Sequence, residues 1–374
     1  MAGETSIEWT DATWNPTRGC SVISPGCKNC YAMKVAARFS GPGLAYEGLA
    51  FMHPKAGGQW TGRVRLVEEQ LDAPLRWTRP RRIFVNSMSD LFHEALSIEQ
   101  IAQVFAVMYL APRHTFQVLT KRARRMREVL TDPAFYNLVL RAADPLRDAR
   151  PKLTGVGISD PTKHPAPWVH LGVSIESPDF LDRGRDLKAT PAAVRFISAE
   201  PLLADLRGLR ALLLEDGLPA NCQCGHGHGF TRCPNYGTVG TPVGCAGAGA
   251  PGFRRVAGEG IHWVIVGGES GGNARRFDAE WARSVVKQCR DAGTAVFVKQ
   301  MGSFVVDRND AGFNGDDDDG WHSAVEYGGE IRVEDLDTGY QGAPVRVHLR
   351  DRAGGDMAEW PADLRVREFP EVRG

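Results

Sequence analysis

Cys20, Cys27 and Cys30 stand in the spacing C-x6-C-x2-C, with Pro25-Gly26 between the first two. A Pro-Gly pair makes a turn, which folds this loop back on itself. Three thiolates gathered in this way are one ligand short of a structural zinc site, which takes four. An iron–sulfur cube held by three cysteines instead leaves one iron open to another molecule. A zinc site closed by a distant residue, such as His53 or a cysteine from elsewhere in the chain, fits the same spacing. The loop follows the first strand of a barrel-like chain, on the face where such folds do chemistry, and that favours the open set.

A second group, Cys222, Cys224, Cys233 and Cys245, accompanies His226 and His228 in a stretch with twelve glycines between Gly217 and Gly260. Four thiolates with two spare imidazoles suit tetrahedral zinc, and glycines let the chain wrap closely around a metal. A second iron–sulfur cluster uses the same residue types, and a flexible loop of free thiols is the plainer alternative. The eighth cysteine, Cys289, falls on the apolar face of a helical pattern with Trp281, Val285 and Val286 and reads as a small core residue.

The elements that must position these groups alternate between strand and helix. Apolar runs at Ile83–Ser87, Phe116–Thr120, Val169–Ile175, Val194–Ser198, His262–Val266 and Ala295–Lys299 read as strands, with an opening strand inside Ile7–Asn15. Ser97 and Gln100 form a capping box ahead of Ile101, Val104, Phe105 and Met108 on one helix face. A basic helix is expected to run to about Leu130, and another from Asp278 to Asp291. About seven βα units imply an α/β fold, a partial or complete TIM-like barrel with its parallel sheet closed or nearly closed.

The division that follows is 1–216 for the first part of the barrel, with the cluster loop at 19–31, then a Cys/Gly-rich insertion at 217–260. The barrel ends in 261–302. A small antiparallel β extension occupies 303–374, where Asp316–Asp319 form a solvated loop and Val345–Leu349 alternate.

Polar residues follow the strands directly: Ser87 and Asp90, Thr120 and Lys121, Ser174 and Glu176, Ser198 and Glu200, Glu269 and Ser270. Ligands of parallel α/β folds bind at these carboxyl ends. Helix capping accounts for any one of them. It accounts less well for carboxylates or a lysine at the same point of several units.

Lys121, Arg122, Arg124, Arg125 and Arg127 put five positive charges in seven residues, and Arg79, Arg81 and Arg82 add three more. Trp77 and Phe84 stand near the latter. These residues fit phosphate contact with a nucleic acid. A solvated helix face paired with acids fits the composition equally well. Lys121 is the exception, because a residue directly after a strand faces the barrel mouth.

The chain of 374 residues has 45 basic and 45 acidic side chains, 43% hydrophobic residues and 24% charged ones. That balance argues against global disorder and removes any case for nucleic acid or membrane from total charge. No run approaches the ~18 apolar residues of a membrane span. The first residues lack the basic-then-apolar pattern of a secretory signal, so the expected address is cytoplasmic.

The Cys20–Ala32 loop, preceded by Trp9-Thr10-Asp11-Ala12-Thr13-Trp14-Asn15-Pro16, resembles a phage-related family of three-cysteine-motif proteins. The closing Glu359–Glu368 segment belongs to the same resemblance. That family is similar to radical S-adenosylmethionine (AdoMet) enzymes. Cys30-Tyr31-Ala32 and Thr120-Lys121 resemble the spore photoproduct lyase branch, which repairs DNA. The resemblance implies a barrel of the radical AdoMet type and a [4Fe–4S] cluster on Cys20, Cys27 and Cys30. AdoMet would chelate the fourth iron, and one-electron reduction would split it to methionine and a 5′-deoxyadenosyl radical. It also implies an electron donor, a reductase or flavodoxin-like partner.

Two departures are visible. Six residues, not three, separate the first two cysteines. Gly267-Gly268-Glu269 comes late, so it does not correspond to the amine-binding Gly-Gly-Glu of an early strand. It reads instead as a glycine turn where backbone approaches the ligand. Ser87 and Asp90 hold the early-strand position and are expected to contact the AdoMet amine. Ser174 and Glu176, or Ser198 and Glu200, are expected to hold its carboxylate or ribose, with Lys121 at the mouth.

The functional expectation is a radical AdoMet enzyme that modifies or repairs a nucleic acid or nucleotide. The competing expectation is a non-catalytic binding protein with structural zinc at both cysteine groups. A hydrolase built on Asp90, His93 and Glu94 ranks last, since it leaves the cysteine loop unexplained.

Overall fold

In a computed structural model, residues 3–153, 156–158, 160, 165–214, 260–308, 321–323, 332–335 and 344–370 are described. The second cysteine group and nearly all of the 217–260 insertion lie outside them. Seven strands run parallel and in chain order: β1 (Ala12–Trp14), β2 (Arg82–Val85), β3 (Thr115–Thr120), β4 (Val169–Ser174), β5 (Val194–Ala199), β6 (Trp263–Gly267) and β7 (Ala295–Gln300). Gly3–Glu4 adds a short antiparallel strand beside β1. Strand order never reverses, as it does in a doubly wound sheet. The sheet curls into a half-barrel, and no pairing joins β1 to β7 among the described residues. The barrel is therefore partial.

Helices α1 (Tyr31–Arg38), α2 (Ile98–Leu110), α3 (Ala123–Thr131), α4 (Pro133–Asp148), α5 (Leu181–Lys188), α6 (Leu209–Leu214) and α7 (Ala279–Ala292) connect the strands. Their starts are written locally. Ser97 and Gln100 make the expected capping box on α2. Asp132 accepts from the Ala134 amide at 2.8 Å, with Pro133 opening α4. Asp278 caps α7, which ends at Gly293 with φ of 64°. Such caps stabilise a helix by about 1 kcal/mol each.

The two faces of the sheet differ because side chains alternate along a strand. Outward residues such as Ile83, Val85, Val118, Leu171, Val173, Ile197, Val264 and Val298 join the helices in the main core. Inward residues Phe84, Phe196, Trp263, Ile265 and Phe297 form a second cluster with Trp9. Trp9 meets Phe84 at 4.8 Å and Trp263 at 6.2 Å between ring centres. Gly172 is required on this face: a Cβ there would fall 2.3 Å from the Phe196 ring. The aromatic cluster fills the lower half of the barrel interior. Each such fully buried ring contributes about 2–3 kcal/mol from area alone.

The closing segment seals the open edge of β7. Val298 donates to Val366 O at 2.8 Å, and Glu368 donates to Val296 O at 2.9 Å. Trp263 Nε1 donates to Glu368 O at 2.8 Å. Phe369 then stacks against Trp263 and Phe297 and sits beneath the Arg82 guanidinium.

The expected antiparallel extension is present. Val305–Arg308, Pro344–His348, Arg332–Asp335 and Trp321–Ser323 pair antiparallel in that spatial order. Phe277–Asp278, from the barrel side of residue 302, adds a parallel edge to it. Among the described residues no helix is long and apolar enough to cross a membrane.

Candidate functional site

Above the aromatic floor the inward positions turn polar. One strand step up from Phe84, Phe196 and Phe297 come Asn86, Ser198 and Lys299, joined by Asn15, Ser174 and Glu200. These residues line a cavity of about 750 Å³ at the carboxyl ends of the strands, within the usual ~300–1,000 Å³ of ligand pockets.

The cysteine loop crosses over this cavity and is tied to four strand ends. Ser21 Oγ accepts from Arg122 Nη2 at 2.7 Å, after β3. Ser24 donates to the Glu176 carboxylate, after β4. Gly26 lies against the same group; a Cβ there would fall 2.3 Å from Glu176 Oε1. Pro25 O accepts from Arg275 Nη1 at 2.8 Å, and Asn29 donates to Glu269 at 2.8 Å, both after β6. Tyr31 donates to Ser87 O at 2.6 Å, after β2. Asn86 with φ of 63° makes the turn out of β2.

Cys20, Cys27 and Cys30 all line the cavity. Burial pushes the Cys20 thiol up to about 12, with Asp90 adding to the rise and Arg122 opposing it. Burial also raises Cys30, against the backbone N–H groups of Met33 and Ala32 at the start of α1 and the charge of Lys121. Among the described residues, no three His, Cys, Asp or Glu side chains are placed to hold a single metal ion. A single zinc draws its sulfurs to about 3.8 Å of one another, given Zn–S bonds near 2.3 Å. A cube spreads its corner thiolates further apart.

The strand-end acids mostly serve the loop. Asp90 accepts from Thr120 Oγ1 (2.7 Å), Phe92 N (3.0 Å), Lys121 N (3.1 Å) and Arg122 Nη1 (3.0 Å). Glu176 is fully buried, with Lys121 Nζ at 3.3 Å and Arg183 Nη1 at 2.7 Å. Burial raises its pKa, but the two cations and Ser24 outweigh that and hold it below the ordinary value. Glu269 is lowered too: burial opposes, while Arg275 and Asn29 prevail. Glu176 and Gly267 lie beneath the cavity lining, and Gly267 packs against the Glu200 carboxylate. Gly268 is pressed against Met301 O and lines the cavity. Ser87 is engaged by the Asn15 amide at 3.2 Å. Ser174 and Ser198 remain in the wall, and Glu200 pairs with Lys299 at 2.9 Å.

His93 and Glu94 belong to the same anchoring network. His93 Nδ1 accepts from Ala95 N at 3.1 Å, so Nε2 carries the proton and donates to Ser21 Oγ at 3.0 Å. Burial and the Arg122 charge lower the His93 pKa and keep the ring neutral. Glu94 accepts from Arg122 Nε at 2.9 Å. His53 is exposed, takes the Lys55 and Ala56 amides on Nδ1, and does not line the cavity.

The basic groups separate. Arg79, Arg81 and Arg82 sit at the amino end of β2, whereas Lys121 follows the carboxyl end of the neighbouring parallel strand, so they do not form one patch. Arg81 lies over Trp77, and Arg82 pairs with Asp11. On α3, Arg124 pairs with Glu128, Arg125 donates to Leu96 O, and Arg127 pairs with Asp186. Arg122, read in the sequence either as a phosphate contact or as part of a solvated helix face, is buried.

Lys299 and Asn86 are among the cavity residues that went unnoticed in sequence. The signal for both was the period of two above an inward phenylalanine. Asn86 carries an unspent group. Ser89 donates its proton to Thr17 O, and Thr17 gives its own to Ser89, so both hydroxyl oxygens accept from Asn86 Nδ2. That count fixes the amide orientation and, among the described residues, leaves Asn86 Oδ1 buried without a partner.

A family model described as "Protein of unknown function (DUF5131)" matches residues 4–350. The chain belongs to that family. The match takes in the cysteine loop, all seven barrel strands and the cavity they line. No curated protein and no solved structure matches the chain.

Proposed function

We propose that this member of DUF5131 is a radical AdoMet-type enzyme, with a [4Fe–4S] cluster on Cys20, Cys27 and Cys30, that modifies or repairs a nucleic acid or nucleotide. One observation carries the reading. Three thiols line a single cavity at the carboxyl ends of a parallel half-barrel, while the neighbouring Asp90, His93, Glu176 and Glu269 are spent on holding their loop. The donor set fits a cluster with one open corner. Arg122 beside Cys20 and Lys121 beside Cys30 supply positive charge to offset thiolates.

When bound, the cluster supplies the electron that cleaves the sulfonium carbon–sulfur bond of AdoMet. The chain's own residues bind, orient and exclude water. Asn86 lines the cavity with its amide nitrogen held by Thr17 and Ser89. Ser174, Ser198 and the Glu200–Lys299 pair offer hydrogen bonds to carboxylate or ribose. The Trp9, Phe84, Phe196, Trp263 and Phe297 floor closes the barrel to water from below. An electron donor of flavodoxin-like type completes the proposal.

The test is anaerobic reconstitution with iron and sulfide, followed by absorption and electron paramagnetic resonance spectra with and without AdoMet. The expected protein is brown, its spectrum shifts with AdoMet, and reductive cleavage disappears in Cys27→Ala. Colourless protein that takes up only zinc overturns the reading in favour of a structural metal protein.

A further inference from the structure

Thr17–Arg18 and Arg65–Leu66 pair antiparallel just after β1, which places Arg18 directly opposite Arg65. Like charges at facing positions of a sheet repel and destabilise it. Among the described residues no carboxylate relieves this pair. Both guanidinium groups instead donate to Ala45 O, Arg65 at 2.8 Å and Arg18 at 3.4 Å. Arg18 also lies over the Tyr46 ring at 5.7 Å. Arg18, Ala45 and Tyr46 line the cavity that holds the three thiols. The arginine pair is packed against the start of the cysteine loop, where a Cβ on Gly19 would collide with Arg63 O.

The charge around the pair is one-sided. Between Arg18 and Val67 stand seven lysines and arginines and a single carboxylate, Glu47, in a chain whose total is zero. Glu47 is engaged by the Gly43 amide at 2.8 Å. Among the described residues none of the seven cations has an ion pair, whereas Arg124 and Arg127 on α3 are both paired. The helix α1 adds an independent indication. It buries Ala32, Met33, Ala36 and Ala37. At 3.6 residues per turn the opposite face carries Tyr31, Lys34, Val35 and Arg38, with Phe39 at its cap. Tyr31, Val35 and Phe39 line the cavity, and Tyr31 and Phe39 are 54% and 45% exposed. Open aromatic rings and unneutralised cations thus share one helix face at the cavity mouth. That combination holds a single strand, with bases on the rings and phosphates on the charges.

We infer that this mouth takes a single nucleic acid strand, with its phosphates on Arg18, Arg65 and the α1 cations and its bases stacked on Tyr31 and Phe39. A phosphate at the arginine pair relieves the repulsion that the protein alone leaves in place. The inference deepens the proposed function and rests on it in one respect: the reacting nucleotide of the strand lies further into the same cavity.

The test is fluorescence anisotropy of a short labelled single-stranded oligonucleotide with the full chain, at several salt concentrations and without AdoMet. Arg65→Gln removes a phosphate contact and the like-charge pair together. It is expected to weaken binding about tenfold, to lower the salt slope by about one, and to leave the melting temperature equal or raised. A purely structural arginine gives the reverse, binding kept and melting temperature lowered, and that result overturns the inference. Phe39→Ala is expected to weaken binding at least about fivefold with an unchanged salt slope, as for loss of a stacking platform. Arg124→Glu is expected to stay within about twofold of the parent. Unchanged binding in both Arg65→Gln and Phe39→Ala overturns the inference, as does the absence of saturable binding at low salt. Displacement of the strand by AMP at equal phosphate concentration overturns it in favour of a mononucleotide site. Strand binding that survives in Cys27→Ala keeps the inference standing should the cluster fail, and the spectra of the reconstituted protein test the cluster without any strand.

Discussion

Arg122 Nη2 donates to Ser21 Oγ at 2.7 Å, so a residue that follows the third barrel strand holds the loop that follows the first. The same guanidinium donates to Asp90 and Glu94, which lie after the second strand. One side chain thus fixes the relative placement of three strand ends and, through them, of Cys20.

Arg122→Ala is expected to strand the Asp90 carboxylate in a buried setting. Breaking a buried pair in this way costs about 3–5 kcal/mol. Urea unfolding should show that loss, and iron bound per chain after reconstitution should fall with it. Arg122→Lys keeps the charge but not the fork that reaches Ser21 and Glu94 together, so it should recover stability better than iron content.

Glu176 gives the fold a specific acid sensitivity. Its folded pKa lies below the ordinary 4.5 because Lys121, Arg183 and Ser24 outweigh burial. The group therefore contributes stability that is complete above pH 4.5 and is lost as pH falls through the depressed folded value. Glu176→Gln should lower stability at neutral pH and flatten the unfolding free energy against pH below 4.5. An unchanged acid limb in that variant would show that the carboxylate is not ionised in the fold.

His170 acts in a different window. Burial, with His262 nearby, pushes its pKa from 6.5 down to about 4. Between those values the unfolded chain binds the extra proton. Stability is complete above pH 6.5 and declines as pH falls toward 4, by up to about 1.4 kcal/mol per pH unit. His93 and His114, also lowered by burial, add to the same slope. His170→Gln should remove one proton's share of it in denaturation curves taken across this range.

Gly172→Ala should destabilise by about 1–3 kcal/mol, the usual cost of overpacking, because its Cβ collides with the Phe196 ring. In Phe196→Leu the same alanine should cost less. A double-mutant cycle measured by thermal unfolding reads the difference as a coupling energy.

What the sequence revealed and what it hid divide by range. The capping box at Ser97 and Gln100 acts over three residues and was legible. So were the seven apolar strands, since a fully buried parallel strand reads as a continuous run. Lys121 was correctly placed at the mouth. The jobs of the acids were not legible, because their partners are remote. Ser24 meets Glu176 across 152 positions and Asn29 meets Glu269 across 240. A carboxylate that anchors a loop and one that awaits a ligand look alike in one dimension.

Arg122 misled for the same reason. Four arginines in a row of seven residues suggest a solvated face, yet a turn at the start of the helix drives this one inward to meet Asp90. Asn86 and Lys299 were readable in principle. Each stands two positions beyond an inward phenylalanine, and the alternation carries polar groups to the tier above the aromatic floor.

The last strand of an open parallel sheet would present a row of bare amides and carbonyls to any other chain. Here residues 366–368 occupy that row through the Val298 and Glu368 amides. The tail is therefore a guard against self-association as well as a packing element. Clipping it away should produce a protein that sticks to itself through its seventh strand, well before its cavities change shape.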